Sequence, residues 1–182
     1  MRIGFFDSGI GGVSVAQAVM RALPGYKYVY YADDTHMPYG NKEKSLIYTL
    51  TTDALRRMFE KKCKLVILAC NSASTVLPLI QQEWLPKEFP DRKVLGVIRP
   101  TVEHMVETKK VDKVYVLATP VTVSSQSFDH ELAKIQKSVD FHEIACPGLA
   151  EAIEYSADSM HDQNIISLCE RYLETVDRKS VV

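Results

Sequence analysis

The sequence has no excess of charge of either sign. Its 182 residues include 22 lysines and arginines against 23 aspartates and glutamates, a formal net charge of -1 at pH 7 with histidine counted as neutral. A chain with so little net charge has no broad field to steer it onto nucleic acid or an anionic membrane surface. The composition therefore predicts a small-molecule partner, and neither nucleic acid nor a membrane.

Long apolar runs and paired cysteines are also missing. No run reaches the roughly 18 apolar residues of a spanning helix, and the N-terminal MRIGFFDSG lacks the apolar region of a secretory signal. We therefore expect a cytoplasmic protein. The four cysteines form no CxxC pair and have no metal-ligand spacing. In a reducing compartment they stay free thiols, so we expect neither disulfides nor a metal site.

What the sequence does contain is a regular alternation of short apolar strands with amphipathic helices. The predicted strands are 2–6, 28–32, 65–69, 94–98, 114–118 and 139–145. This order predicts an α/β fold of parallel sheets flanked by helices. A boundary near Pro100 would divide the chain into two lobes, residues 1–99 and 100–182.

Polar or reactive side chains follow several predicted strands. Asp7 and Ser8 follow the first strand, Asp34 and Thr35 the second, and Cys70 the third. Ligands of open α/β sheets bind at the carboxyl edge of the strands, where such side chains meet. We therefore expect the chemistry of this protein to lie at that edge.

Cys70 and Asp7 each allow two interpretations. The predicted helix start after Cys70 favours a thiolate, because its N–H groups and dipole stabilise negative charge. A small buried and inert cysteine is the alternative. Asp7 lies beside glycines that let a ligand approach, so it can relay protons or hold an ammonium group. Its alternative role is to cap the following helix.

Five motifs in a fixed order make the pattern specific. They are FDSGIGG, DDTHMPYG, ILACNSAS, ATPVTVSS and ACPGLAEAIE. In this order they closely resemble glutamate racemase, from residue 3 to about residue 156. The resemblance implies a two-lobed α/β enzyme that interconverts L- and D-glutamate without a cofactor and supplies D-glutamate for peptidoglycan. It also suggests a homodimer.

The resemblance assigns roles by position. Cys70 matches the first of two catalytic cysteines, which exchange protons with opposite faces of the substrate Cα, and Asp7 matches the aspartate that assists it. Ser72 stands where the family usually has threonine, which keeps the hydroxyl. The expected substrate contacts are Ser8, Tyr39, Gly40, Asn71, Ser72, Thr119, Thr122 and Glu154.

The second catalytic cysteine of the family lies in a motif of the type Gly-Cys-Thr-His-Tyr, which this sequence does not contain. Cys146 belongs to the ACPG motif, a different family position. A predicted helix over 164–176 leads to residues 180–182, which resemble the beginning of the strand before the missing motif. We therefore expect a C-terminally truncated chain that is inactive or very weak alone. A racemase of aspartate or another acidic amino acid, and a degenerate non-catalytic binding protein, are the alternatives.

Overall fold

The structure, a computed structural model, describes residues 1–108, 113–135, 139–156, 161–174 and 176. It divides into two compact units, Met1–Val97 and Ile98–Val182. Pro100, near which the sequence predicts a lobe boundary, lies in the first turn of the helix that opens the second unit. Both units are built from parallel strands and helices.

The first unit contains a four-stranded parallel sheet. Its strands are β1 (Arg2–Asp7), β2 (Lys27–Ala32), β3 (Leu65–Leu68) and β4 (Lys93–Gly96). Their order is β2-β1-β3-β4, and every pair is parallel. The polar segments after β1 and β3 therefore begin side by side at the centre of one sheet edge.

Helices cover both faces of this sheet. On one face, Ala16 of α1 (Val13–Ala22) packs against Ile3 and Phe5. On the other, Gly4 lets α2 (Lys44–Glu60) approach closely, since a Cβ there would lie 2.5 Å from the methyl carbon of Met58. The first unit thus has the two-faced core that parallel strands require.

The segment after β3 is a series of short helical pieces, where the sequence predicts one helix. They are α3 (Asn71–Ser74), α4 (Leu77–Leu79), a π-helical turn (Ile80–Trp84) and α5 (Leu85–Glu88). Pro78 and Pro86 each stand near the start of a piece, where a residue without an N–H is tolerated. Residues 77–88 are continuously helical, and the break in the segment, at residues 75–76, comes before Pro78.

The second unit contains β5 (Lys113–Ala118) paired in parallel with β6 (Asp140–Ala145). Its helices are α6 (Ile98–Glu107), α7 (Pro120–Ser124), α8 (Ser127–Ile135), α9 (Leu149–Tyr155) and α10 (Gln163–Leu173). Ile98, Val102 and Phe128 form its buried core cluster. Within the described ranges, no helix is long and apolar enough to cross a membrane.

Two element ends differ from the sequence prediction by more than one residue. Strand β4 ends at Gly96, two residues before α6 begins at Ile98. Helix α10 ends at Leu173, three residues before the predicted end. The strand predicted at 180–182 lies outside the described residues. The prediction of parallel α/β architecture itself is confirmed.

Candidate active site

Asp7, Ser8 and Cys70 meet at the carboxyl edge of the central strands. Asp7 is the last residue of β1, and the Ala69 N–H donates to the Phe6 carbonyl at 2.8 Å, which extends the β1–β3 pairing to the residue before Cys70. Ser8 Oγ and Cys70 Sγ form a hydrogen bond of 3.3 Å. The structure thus brings together three of the residues that the sequence singled out.

Asp7 is held by the loop that precedes α1. Its Oδ2 accepts a hydrogen bond of 2.5 Å from the Gly12 N–H. A Cβ at position 12 would lie 2.7 Å from Ala69 Cβ and 3.0 Å from Asp7 Oδ2, so only glycine fits between the two strand ends. Asp7 thus holds the loop but does not cap α1, whose N-cap is Gly12 with no side-chain capping bond, and its charge acts on Cys70.

The expectation of a stabilised thiolate at Cys70 is wrong, because its surroundings favour the neutral thiol. Burial and the Asp7 carboxylate raise the pKa of the Cys70 thiol to about 11. Hydrogen bonds from Ser8 and from the Ala73 N–H, whose nitrogen lies 3.3 Å from Sγ, lower this pKa but are outweighed. The helix after Cys70 has only four residues, too few for a strong dipole. Cys70 is therefore a neutral thiol at pH 7.

The residues after Cys70 form a tightly bonded turn. Ser74 Oγ donates to the carbonyls of Cys70 at 2.8 Å and Leu68 at 3.2 Å. Ser72 is buried and its carbonyl accepts from Thr75 Oγ1 at 2.7 Å, whereas Asn71 is exposed. Of the two predicted substrate contacts in this turn, Asn71 is the accessible one.

Tyr39 and Gly40, also predicted contacts, are both buried in the loop after β2. The Tyr39 hydroxyl donates to Asp33 Oδ2 at 2.6 Å, and its ring centroid lies 6.1 Å from that of Phe6. Burial and the Asp33 carboxylate raise the pKa of Tyr39 far above its ordinary value, and nearby Cys70 adds to this. The phenol is thus a buried hydrogen-bond donor inside the protein.

The sequence interpretation missed Asp33 and selected its neighbours Asp34 and Thr35, which are exposed. Asp33 is buried, and its N–H donates to the Asp7 carbonyl at 3.0 Å. Its position directly after the apolar strand β2 was the available signal. The strand alternation does not show which of two successive aspartates points inward, because the chain turns there.

The remaining predicted contacts belong to the second unit. Thr119 and Thr122 follow β5, and their hydroxyl oxygens lie 3.0 Å apart. Thr122 is fully buried, and Glu154 is half-buried on α9. Cys146 is buried after β6, where its N–H donates to the Ala118 carbonyl at 2.8 Å and burial raises its pKa.

In the part of the chain that the structure describes, no three histidine, cysteine, aspartate or glutamate side chains are grouped so as to hold a metal ion. The described cysteines are all free thiols, at positions 63, 70, 146 and 169. The group formed by Asp7, Ser8 and Cys70 can exchange a proton at Cys70. Asp7 raises the pKa of this thiol and the hydrogen bond of Ser8 lowers it.

Known proteins with a similar fold are racemases. A glutamate racemase isoform from Bacillus anthracis gives a TM-score of 0.83 at 26% identity, covering 94% of this chain and 62% of that chain. A glutamate racemase from Francisella tularensis in complex with D-glutamate gives 0.81 at 25% identity, covering 99% and 65%. The fold of this chain is therefore that of solved glutamate racemases.

Sequence comparison is more specific, although no protein-family model matches the chain. The glutamate racemase of Roseobacter denitrificans is 40% identical over 190 residues, which covers 98% of this chain and 68% of that relative. The chain belongs to the glutamate racemase family, which confirms the resemblance of its motifs. It spans 59% of the length of the glutamate racemase of Dinoroseobacter shibae and 68% of that of the Roseobacter denitrificans relative.

Proposed function

We propose that this protein interconverts L- and D-glutamate, with Cys70 exchanging the α proton on one face of the substrate. The observation that carries the proposal is the hydrogen-bonded pair of Cys70 Sγ and Ser8 Oγ at the sheet edge, under the charge of Asp7. Family membership supports glutamate as the substrate, as does the D-glutamate complex of the Francisella tularensis relative.

A neutral Cys70 has to release its proton to solvent before the thiolate can act as a base. The ammonium group of a bound amino acid supplies the positive charge that would allow this. Placed near Asp7, it offsets the carboxylate that helps to raise the pKa of Cys70, and so lowers that pKa. Substrate binding and thiol ionisation are then coupled. Without substrate, Cys70 remains a neutral thiol.

The proton balance of the proposed reaction involves two groups. The Cys70 thiolate takes the α proton and becomes a thiol, while the electron pair of the C–H bond is delocalised into the substrate carboxylate. A second acid delivers a proton to the opposite face and becomes the conjugate base. The α proton is weakly acidic, so fixed donors must stabilise the carbanion. Ser8 and the backbone around Cys70 are candidates for this role.

The resemblance makes the second acid a cysteine in a Gly-Cys-Thr-His-Tyr motif. None of the four cysteines in the printed sequence lies in such a motif. We therefore propose that a polypeptide of these 182 residues binds glutamate but inverts it slowly at best. The family resemblance further suggests a biosynthetic role, the supply of D-glutamate for peptidoglycan.

The test is to measure binding and inversion with the same polypeptide. Isothermal titration with L-glutamate, D-glutamate and L-aspartate gives the affinities, and chiral chromatography follows any inversion. We expect glutamate to bind more tightly than aspartate, and any inversion to disappear in Cys70→Ser. Tighter aspartate binding would favour an aspartate racemase, and no binding of either would contradict a racemase site.

A further inference from the structure

Asp33 is the centre of a buried polar network beside the proposed site. Its side chain is only 9% exposed, and its carboxylate accepts from two donors. The Tyr39 hydroxyl lies 2.6 Å from Oδ2, and Nδ1 of His36 lies 2.8 Å from Oδ1. Because the Asp33 N–H also donates to the Asp7 carbonyl, this network is tied to the end of β1.

The network fixes the loop that carries Tyr39 and Gly40. Tyr39 is 1% exposed, so its hydroxyl faces the protein interior, and its bond to Asp33 is that of a neutral donor to a charged acceptor. Such bonds are about twice as strong as neutral ones. The Tyr39 side chain therefore anchors the loop to the end of β2.

The anchored loop lies close to Cys70. The Tyr39 ring centroid lies 6.1 Å from that of Phe6, whose carbonyl accepts from the N–H of Ala69, the residue before Cys70. A shift of the loop would therefore change the surroundings of the strand ends that carry Asp7 and Cys70. His36 is the outer member of the network, with a side chain that is 51% exposed.

We propose that Asp33 is a positioning residue that sets the Tyr39–Gly40 loop for substrate binding through the Tyr39 hydroxyl. This inference rests on the proposed function, because the ligand is glutamate. If Asp33 acts through that hydroxyl, altering either partner should weaken glutamate binding, and altering both should add little to the larger single effect. His36, exposed to solvent, should contribute much less.

The experiment is a double-mutant cycle on the glutamate affinity of the 182-residue polypeptide. The variants are Asp33→Asn, Tyr39→Phe and the double variant, with circular dichroism establishing that each is folded at the assay temperature. Asp34→Asn is the matched control, since it makes the same charge change at the exposed neighbouring position. The dissociation constant is measured by calorimetry at a temperature where each variant is folded. A purely structural role of Asp33 would lower the melting temperature without weakening glutamate binding.

We expect Tyr39→Phe to weaken glutamate binding about tenfold and Asp33→Asn at least about threefold, because a hydrogen bond to a charged group is lost or weakened. The double variant should bind as weakly as Tyr39→Phe alone, and Asp34→Asn should bind like the wild type. Wild-type affinity in Asp33→Asn, or effects that multiply in the double variant, would overturn the inference. A wild-type chain without glutamate affinity would overturn the proposed function, and this inference with it.

Discussion

The charge of Asp7 should control how readily Cys70 ionises. At pH 8, a pKa of about 11 leaves about one Cys70 thiol in a thousand ionised. Asp7→Asn removes the nearby negative charge but keeps an oxygen for the Gly12 N–H, so the loop should hold its shape. A neighbouring carboxylate typically changes such a population by at least about tenfold. We therefore expect roughly tenfold more thiolate in the variant.

The observable is the rate at which iodoacetamide alkylates Cys70, followed by mass spectrometry of the peptide that contains it. A thiolate of lower pKa is also less nucleophilic, which offsets part of the gain. Tenfold more thiolate should then appear as roughly threefold to fourfold faster alkylation at pH 8. This is well above the error of a residue-resolved rate measurement.

Cys63 provides an internal control in the same unit. It is fully buried, burial raises its pKa, and Asp7 is not among the charges that act on it. Its rate should not change in Asp7→Asn, whereas a general opening of the fold would accelerate both cysteines. An unchanged or slower rate at Cys70, with Cys63 constant, would refute the electrostatic role of Asp7.

Two further predictions concern stability. Gly12→Ala should lower the free energy of unfolding by about 1–3 kcal/mol, because its Cβ would lie 2.7 Å from Ala69 Cβ. Gly25→Ala is the control: its Cβ would meet no atom within 4 Å, so the denaturation midpoint should stay nearly unchanged. Burial and the neighbouring Asp129 carboxylate raise the pKa of Glu143 from 4.5 to about 7, so its stabilising contribution is present below pH 4.5 and is lost as the pH rises through 7. Glu143→Gln should therefore raise the melting temperature by about 2–4 °C at pH 8 and have little effect at pH 4.5, as scanning calorimetry at both pH values can check.

The meeting of Asp7, Ser8 and Cys70 was predictable from sequence alone. Each follows an apolar strand, and parallel strands present their carboxyl ends at one edge. Local pattern was therefore sufficient to place these three side chains together. The five ordered motifs added the family, which the comparisons then confirmed.

The ionisation state of Cys70 was not predictable in this way. The sequence shows a helix start after the cysteine, which favours a thiolate, but not the burial and the carboxylate that outweigh it. Both depend on how the loop before α1 folds over the strand ends. The Tyr39–Asp33 bond has the same origin, since it requires the loop after β2 to turn back on itself.

The most direct test of proton exchange at Cys70 is deuterium incorporation at the glutamate Cα in D₂O, followed by proton NMR with each enantiomer separately. We predict that the 182-residue polypeptide exchanges the α proton of one enantiomer faster than that of the other, largely with retention of configuration, and that Cys70→Ser abolishes the exchange. Exchange that persists in Cys70→Ser, or no exchange with either enantiomer, would contradict the assignment of Cys70 as the proton carrier.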